Sequence, residues 1–198
     1  MKYFFVILAF FSHLVAARAD FIIRQKVDGT PQSGILTLKI KGNKTRLDMS
    51  SESLGAVSLI QDVVTCDTIM MIHEKKTARK ETGEQYRQRL EQLNPGGTNA
   101  AIPGVVDTGR TEKVGDYTAE IYTWTNTRDM SGTLWLARNY PNAEHIKKEL
   151  ARLNQSPVRQ FTRGTTPDTS RLPGVVVKST VKSPTADITT TLPFPITL

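Results

Sequence analysis

Alternation of apolar and polar residues dominates the chain after its first twenty residues and predicts a protein built mainly of β-strands. The segment 34–41 is typical, because Leu36, Leu38 and Ile40 all fall on one face. Gly42-Asn43 then predicts a tight hairpin turn into the next strand. The other strands are predicted at 21–27, 44–49, 56–61, 68–73, 108–114, 117–125 and 133–139, and as starting at 175 and 186.

Two segments change to a helical period. The apolar residues of 78–93 are Tyr86, Leu90 and Leu93, and the rest of that segment is mostly charged. Such a spacing predicts an amphipathic helix with a narrow apolar stripe. The segment 141–154 repeats the pattern, with the stripe Ile146, Leu150 and Leu153, and with Pro141 in the predicted first turn.

The implied fold class is mainly β (α+β): one antiparallel sheet of about nine or ten strands, curled into an incomplete barrel around two helices. The run Ile69 to Ile72 is apolar at every position, which predicts a strand covered on both faces. The polar segment 156–171 is predicted to be a flexible loop.

Residues 1–19 have the parts of a cleavable signal peptide. Lys2 supplies a positive charge near the start, and an apolar run too short to span a bilayer follows it. Small residues, Ala17 and Ala19, stand at the two positions that a signal peptidase recognises. We therefore expect cleavage after Ala19 and a single β-rich half-barrel domain over 20–198. We also expect a periplasmic or secreted location and no stable transmembrane segment once the leader is removed.

The formal net charge of +7 favours anionic partners. The cations are scattered and mostly alternate with acids, and the densest stretch, Lys75 to Lys80, is interpreted as the solvated start of a helix. An exported chain is not expected to bind nucleic acid. The expected partners are a lipid, a lipoprotein or another protein of the envelope.

No motif for catalysis or for a cofactor is present. The chain lacks a Gly-x-Ser-x-Gly elbow, and Gly96-Gly97 follows a predicted helix, whereas a phosphate-binding loop would lead into one. Asp107, Glu112, Glu120 and Asp129 could serve a hydrolase, but nothing in the sequence brings two of them together. We expect a protein that is not an enzyme and that needs no cofactor.

The candidate metal ligands are also scattered. Cys66, His73 and His145 do not share a spacing that would place them on one element. Cys66 is the only cysteine, so it cannot form an internal disulfide. It could pair between molecules or bind a metal, but an ordinary small residue beside a turn is the simpler interpretation. We expect no metal site.

An aromatic cluster is the candidate ligand-binding surface. Tyr122 and Trp124 share one face of a predicted strand, Trp135 lies on the next strand, and Tyr140 follows it. Large aromatics on neighbouring strands can line an apolar pocket. The same four residues would equally suit plain packing between a sheet and a helix.

Five segments carry a resemblance to a known family: 38–49, 71–74, 117–124, 132–137 and 139–142. The chain resembles, over roughly 20–190, an uncharacterised family of exported bacterial proteins with a domain of unknown function. The resemblance implies a fold similar to the periplasmic lipoprotein carriers, an incomplete antiparallel barrel with an apolar cavity. No functional residue is established for the family, so none is carried over.

The sequence departs from that family in two places. Asp116 replaces a small or polar residue after the turn glycine. Members usually continue past the Thr-rich strand into another strand, whereas this chain ends at Leu198. We therefore expect an edge strand to be missing or replaced.

Three functions compete at this point. The leading one is an exported, non-enzymatic module that binds an apolar or amphipathic ligand, such as an acyl chain or the lipid of a lipoprotein. The alternative is an envelope scaffold or protein-interaction domain whose concave face is a filled core. A hydrolase is the third. The first two differ in whether the narrow helix stripes fill the concave face.

Overall fold

The computed structural model describes residues 21–30, 33–51, 55–93, 101–126, 129–154, 164–192 and 196. The predicted signal peptide lies outside these residues, as does much of the predicted loop at 156–171. The strands are β1 Phe21–Thr30, β2 Gly34–Lys41, β3 Lys44–Ser51, β4 Gly55–Asp62, β5 Thr68–Ile72, β6 Thr77–Glu81, β7 Val105–Val114, β8 Tyr117–Thr125, β9 Ser131–Ala137, β10 Val175–Ser183 and β11 Ala186–Thr191. The helices are α1 Gly83–Leu93 and α2 Ala143–Asn154, with a 3₁₀ turn at Thr169–Arg171.

All the described strands belong to one open antiparallel sheet of 11 strands, in the order β6-β5-β4-β3-β2-β1-β11-β10-β9-β8-β7. The chain begins in the middle of the sheet and runs outward by hairpins to β6. It then restarts at the opposite edge with β7 and returns inward until β11 pairs with β1. The predicted curled antiparallel sheet is confirmed. The last strand, β11, is an interior strand and not an edge.

One face of the sheet, which we call the inner face, carries Phe21, Ile23, Leu38 and Ile40. They lie two residues apart along β1 and β2 and pair across them, and successive side chains of a strand point to opposite faces. Helix α2 packs against this face through its predicted stripe. Ile146 is only 1% exposed and joins the same buried cluster.

The predicted first helix starts later than expected, and its beginning is a strand. Thr77–Glu81 forms β6, paired with β5 across the turn at 73–76. The helix then begins with a capping box, in which Thr82 and Gln85 satisfy each other's backbone N–H groups at 3.3 and 3.0 Å. The prediction that 78–93 is all helix was wrong because the charged residues of β6 hide a hairpin strand.

The second helix begins at Ala143 and not at Pro141. Asn142 has a φ of 57°, a left-handed conformation that cannot be part of the helix. Its carbonyl still accepts the first helical hydrogen bond, from the Ile146 N–H at 3.0 Å. Neither described helix is long and apolar enough to cross a membrane.

The strand β5 is not covered on both faces as its unbroken apolar run predicted. Ile69 is 37% exposed and Met70 is 38% exposed, on opposite faces of the sheet. An unbroken apolar run shows only that neither face is polar. Whether a face is covered depends on where the helices pack, and the described helices contact the sheet mainly at β6, by α1, and at β10, by α2.

Candidate functional site

A cavity of about 560 Å³ lies between α2, the inner face of the sheet and the segment 164–174. Its apolar wall includes Ile23 and Leu38 from the middle strands and Ile146 and Leu150 from the helix. Ligand pockets commonly measure roughly 300–1,000 Å³ and have mostly apolar walls. The helix stripe therefore covers this part of the inner face without filling it.

The far wall of the cavity comes from β8, β9 and β10. Trp124, Leu134 and Val181 line it. Trp124 lies opposite Gly132, and Gly132 lies opposite Val181, so the three positions form one row across the strands. Trp124 and Leu134 are buried and belong to one cluster, against which Val181 packs.

Polar side chains also line the cavity, where the helix meets the segment 164–174. They include Gln25, Lys147, Asn154 and Thr169. Asn154, the last residue of α2, donates a hydrogen bond to Asp168 at 2.7 Å. Burial alone would raise the pKa of Asp168, but hydrogen bonds from Ser170 and Asn154 outweigh it and lower that pKa. The ionised carboxylate thus fixes the segment to the helix end.

The described part of the predicted loop over 156–171 is made of turns and bends, with a 3₁₀ turn at Thr169–Arg171. Pro167 is buried, and Gly164 accepts a hydrogen bond from Asn126 at 2.8 Å. Asp168 caps the 3₁₀ turn by accepting from the Ser170 N–H at 3.1 Å. Polar composition predicted a loop, but these side chains pair locally and with the sheet, and so the segment forms a wall of the cavity.

The four aromatic residues predicted to bind a ligand do not share one surface. Tyr122 lies opposite Leu134, whereas Trp135 lies opposite Ile121. Tyr122 and Trp124 therefore face one side of the sheet and Trp135 faces the other. Trp124 is the one of the four that lines the cavity.

Tyr122 lies beside Trp124 in the same buried cluster, with its hydroxyl bound to a carboxylate. It donates to Glu120 at 3.1 Å, and Glu120 is held by Arg138 at 2.6 Å. Burial first and the Glu120 carboxylate second raise the pKa of Tyr122. The hydrogen bond from Arg138 is the largest influence on Glu120 and lowers its pKa. This chain of contacts links β8 to the residue that follows β9.

Trp135 belongs to the buried cluster that also contains Ile23 and Ile146, whereas Trp124 belongs to the other cluster. The Trp135 indole N–H donates to Glu112 at 2.9 Å, and the Lys178 ammonium lies 4.2 Å from the ring centroid. Tyr140 is buried near the start of α2, where its ring lies 4.9 Å from that of Tyr117. Its hydroxyl accepts from the Ile196 N–H at 3.0 Å.

Beyond the cavity, the inner face continues as a partly exposed apolar surface. Cross-strand pairing extends the row of Leu38 onto β3, β4 and β5 and adds a parallel row beside it. None of these residues is fully buried. We call this surface the open strip, and its members are Leu47, Met49, Val57, Leu59, Met70 and Ile72.

The outer face behind the open strip carries a polar network that the sequence had not revealed. Asp48 accepts from Ser58 at 2.6 Å, from Arg46 at 2.7 Å and from Lys39 at 2.9 Å. Burial alone would raise the pKa of Asp48, but these hydrogen bonds outweigh it and lower that pKa to about 2. The network joins β2, β3 and β4.

Ser58 and His73 have the spacing of a nucleophile and its base, with Oγ and Nε2 2.8 Å apart. The single hydroxyl proton of Ser58 is given to the ionised Asp48, so the His73 nitrogen is the donor in that contact. A base that donates to the hydroxyl cannot accept its proton in the same arrangement. The pair therefore extends the network to the end of β5. The alternation of polar and apolar residues in 44–49 puts Arg46 and Asp48 on one face, and it is the sequence signal that could have predicted this polar network.

The candidate metal ligands lie apart. Cys66 is buried in the turn between β4 and β5, with a φ of 67°. His73 contacts Ser58, and the ring of His145 lies 6.2 Å from that of Phe21. Within the described ranges, no three His, Cys, Asp or Glu side chains come together as a metal site would require.

Comparisons with known proteins add a likeness to solved structures. No family model matches the chain, and no curated protein matches it. Membership of the uncharacterised family therefore stays a prediction. Among solved structures, the chain is similar to the lipoprotein LppX of Mycobacterium tuberculosis, with a TM-score of 0.45 and 10% identity over 86% of this chain and 83% of that one.

Proposed function

We propose that this chain is a non-enzymatic module that binds an apolar or amphipathic ligand in the cavity beneath α2. The observation that carries the proposal is the cavity itself, about 560 Å³ with a largely apolar wall. Burying apolar ligand surface there contributes about 25 cal/mol per Å² before the costs of binding are subtracted. The ligand class is a lipid, or the acyl part of a lipoprotein.

The open strip supports the same function. It begins next to Leu38, which lines the cavity, and carries apolar side chains outward to Met70 on β5. An acyl chain longer than the cavity could continue along this row. The polar residues Lys147 and Asn154 at the helix offer contacts for a head group. The proposed location, periplasmic or secreted, rests on the leader predicted from the sequence.

A scaffold or protein-interaction role is the second candidate, and one observation favours it. Apolar residues are exposed on both faces near the β6 edge, with Ile69 on the outer face and Met70 on the inner one. A protein partner could cover both. This role needs no ligand in the cavity, which separates the two candidates experimentally.

The test is a titration with N-phenyl-1-naphthylamine, a probe that fluoresces in apolar surroundings. Leu150→Arg places a charge in the cavity wall and should weaken probe binding about 10-fold or more, because an apolar ligand would desolvate that charge. Leu90→Arg is the matched control, a half-buried leucine on α1 outside the cavity wall, and should leave binding unchanged.

Circular dichroism confirms that both variants fold. The proposal fails if the wild-type protein shows no saturable binding, or if the two variants weaken the probe equally. A protein that binds no probe but retains a stable fold would favour the scaffold role.

A further inference from the structure

Gln25 is a polar residue at an otherwise apolar position of the inner face. Along β1 it lies between Ile23 and Val27, which are buried on that face, and it stands opposite Leu36 on β2. Its side chain is half-buried and lines the cavity beneath α2. The amide of Gln25 makes no hydrogen bond within the described ranges of the chain. The cavity wall therefore contains an amide that the protein itself leaves uncommitted.

A second glutamine of the inner face shows the usual arrangement. Gln61 on β4 lies in the cross-strand row of Ile40, and its amide donates to the Thr68 hydroxyl at 3.0 Å. Buried amides almost always have such a partner. Among the residues that the structure describes, Trp124 Nε1 is the one fully buried side-chain nitrogen or oxygen without a partner, so the amide of Gln25 remains accessible.

Filling the cavity would remove water from the Gln25 amide. Burial of an amide without a new partner costs free energy, and a purely apolar ligand returns none of it. A carboxamide both donates and accepts hydrogen bonds. A ligand group that also does both, such as a secondary amide or a hydroxyl, would therefore compensate the lost hydration most completely.

The charges around the cavity favour a neutral group at this position. Lys147 is the cation in the described wall, and its ammonium is held by Glu144 at 3.1 Å. The polar side chains that the strands contribute to that wall, such as Gln25 and Ser179, are neutral. A carboxylate placed against the sheet would lose its hydration and gain only neutral donors there.

We propose that Gln25 binds a neutral polar group of the ligand that both donates and accepts hydrogen bonds, as a secondary amide or a hydroxyl does. The ligand class is thereby narrowed to apolar molecules that carry such a group, as opposed to hydrocarbons and free carboxylates. This inference rests on the proposed function, since it requires a ligand in the cavity beneath α2.

The test compares the wild type with Gln25→Met, which has nearly the same length and lacks the amide. N-methyldodecanamide, dodecanol and dodecane each displace N-phenyl-1-naphthylamine. Loss of one or two neutral hydrogen bonds should weaken the amide or the alcohol about 3- to 30-fold relative to dodecane. A selective loss for either one supports the inference and identifies the group that Gln25 binds.

Gln61→Met is the matched control. It removes an amide of the inner face that already has a partner and lies outside the described cavity wall, so it should leave the ratios of the three affinities unchanged. Thr68 keeps a partner in that variant, because its hydroxyl donates to the Cys66 carbonyl at 2.9 Å. Circular dichroism checks that both variants fold.

A second readout needs no variant. In wild-type protein labelled with ¹³C and ¹⁵N, the side-chain amide signals of Gln25 are assigned through their bonded carbons. The amide protons should move upfield with dodecane, which displaces water and leaves them without an acceptor. They should not do so with whichever of N-methyldodecanamide and dodecanol Gln25 binds.

The outcomes separate this inference from the function on which it rests. If the wild type shows no saturable binding of the naphthylamine, the proposed function fails and the inference fails with it. If the probe binds and Gln25→Met changes the affinities for all three ligands by the same factor, the inference alone is overturned. Gln25 amide signals that respond identically to the three ligands would also overturn it.

Discussion

The two halves of the inner face share one sequence pattern but differ in what covers them. In the half formed by β1, β8, β9 and β10, α2 and the segment 164–174 lie over the sheet, and Phe21 and Leu136 are fully buried. In the half that carries the open strip, comparable alternation leaves Leu47 and Leu59 only half-buried. Alternation thus selects the apolar face, and the packing of one helix decides which part of that face becomes core.

The two halves are also stabilised differently. The covered half depends on burial of apolar side chains, with Ile146 at the centre of the contact between helix and sheet. The open half depends more on cross-strand polar contacts on its outer face, where Asp48 joins three strands. Neither described helix covers this half, and the outer network joins three of its strands.

The largest expected effect is on the free energy of unfolding, and it differs between the covered half and the half that carries the open strip. Ile146→Ala should lower the free energy of unfolding by about 2–5 kcal/mol, the usual cost of truncating a buried aliphatic side chain. Leu59→Ala in the open strip should cost roughly 1 kcal/mol or less, because that side chain is already partly exposed. Urea unfolding followed by circular dichroism measures both. Equal costs would show that the open strip is covered like the rest.

A smaller effect is expected from the outer network and depends on pH. The pKa of Asp48 falls from 3.8 to about 2 on folding, so its carboxylate stabilises the fold above about pH 4, and that contribution is lost as the pH falls toward 2. Asp48→Asn should therefore cost about 1–2 kcal/mol near neutral pH and almost nothing near pH 2.

The measurement is the free energy of unfolding of the wild type and of Asp48→Asn across that pH range. Lys26→Met is a suitable control, because it removes an exposed ion pair with Asp28 outside the network. A difference between wild type and Asp48→Asn that stays constant from neutral pH to pH 2 would contradict the assigned role of the carboxylate.

The sequence predicted most of the sheet because hairpins with short turns leave little freedom. Gly42-Asn43 forms the expected turn, with Gly42 at a φ of 49°, and β2 and β3 pair without irregularity. The apolar stripe of α2 was also predicted correctly, since Ile146 and Leu150 pack in the buried cluster. The strand β6 was missed because its residues carry no apolar alternation and it is defined by pairing with β5.

The site was less predictable because it depends on register and on packing between distant segments. The connection from Asn126 to Met130 sets β9 against β8 so that Trp135 lies opposite Ile121. A shift of one residue would have moved Trp135 to the inner face with Trp124. No local pattern shows that register. The cavity also needs the segment 164–174, which is held by hydrogen bonds from Asn126 to Gly164 and from Asn154 to Asp168.

The most direct test of ligand binding is native mass spectrometry of the protein purified from the cells that make it, followed by organic extraction and lipid analysis. We expect a stoichiometric acyl-containing molecule bound to the wild type and absent from Leu150→Arg, with Leu90→Arg retaining it. A protein of apo mass, together with no lipid in the extract, would contradict the proposal that the cavity beneath α2 is a ligand site.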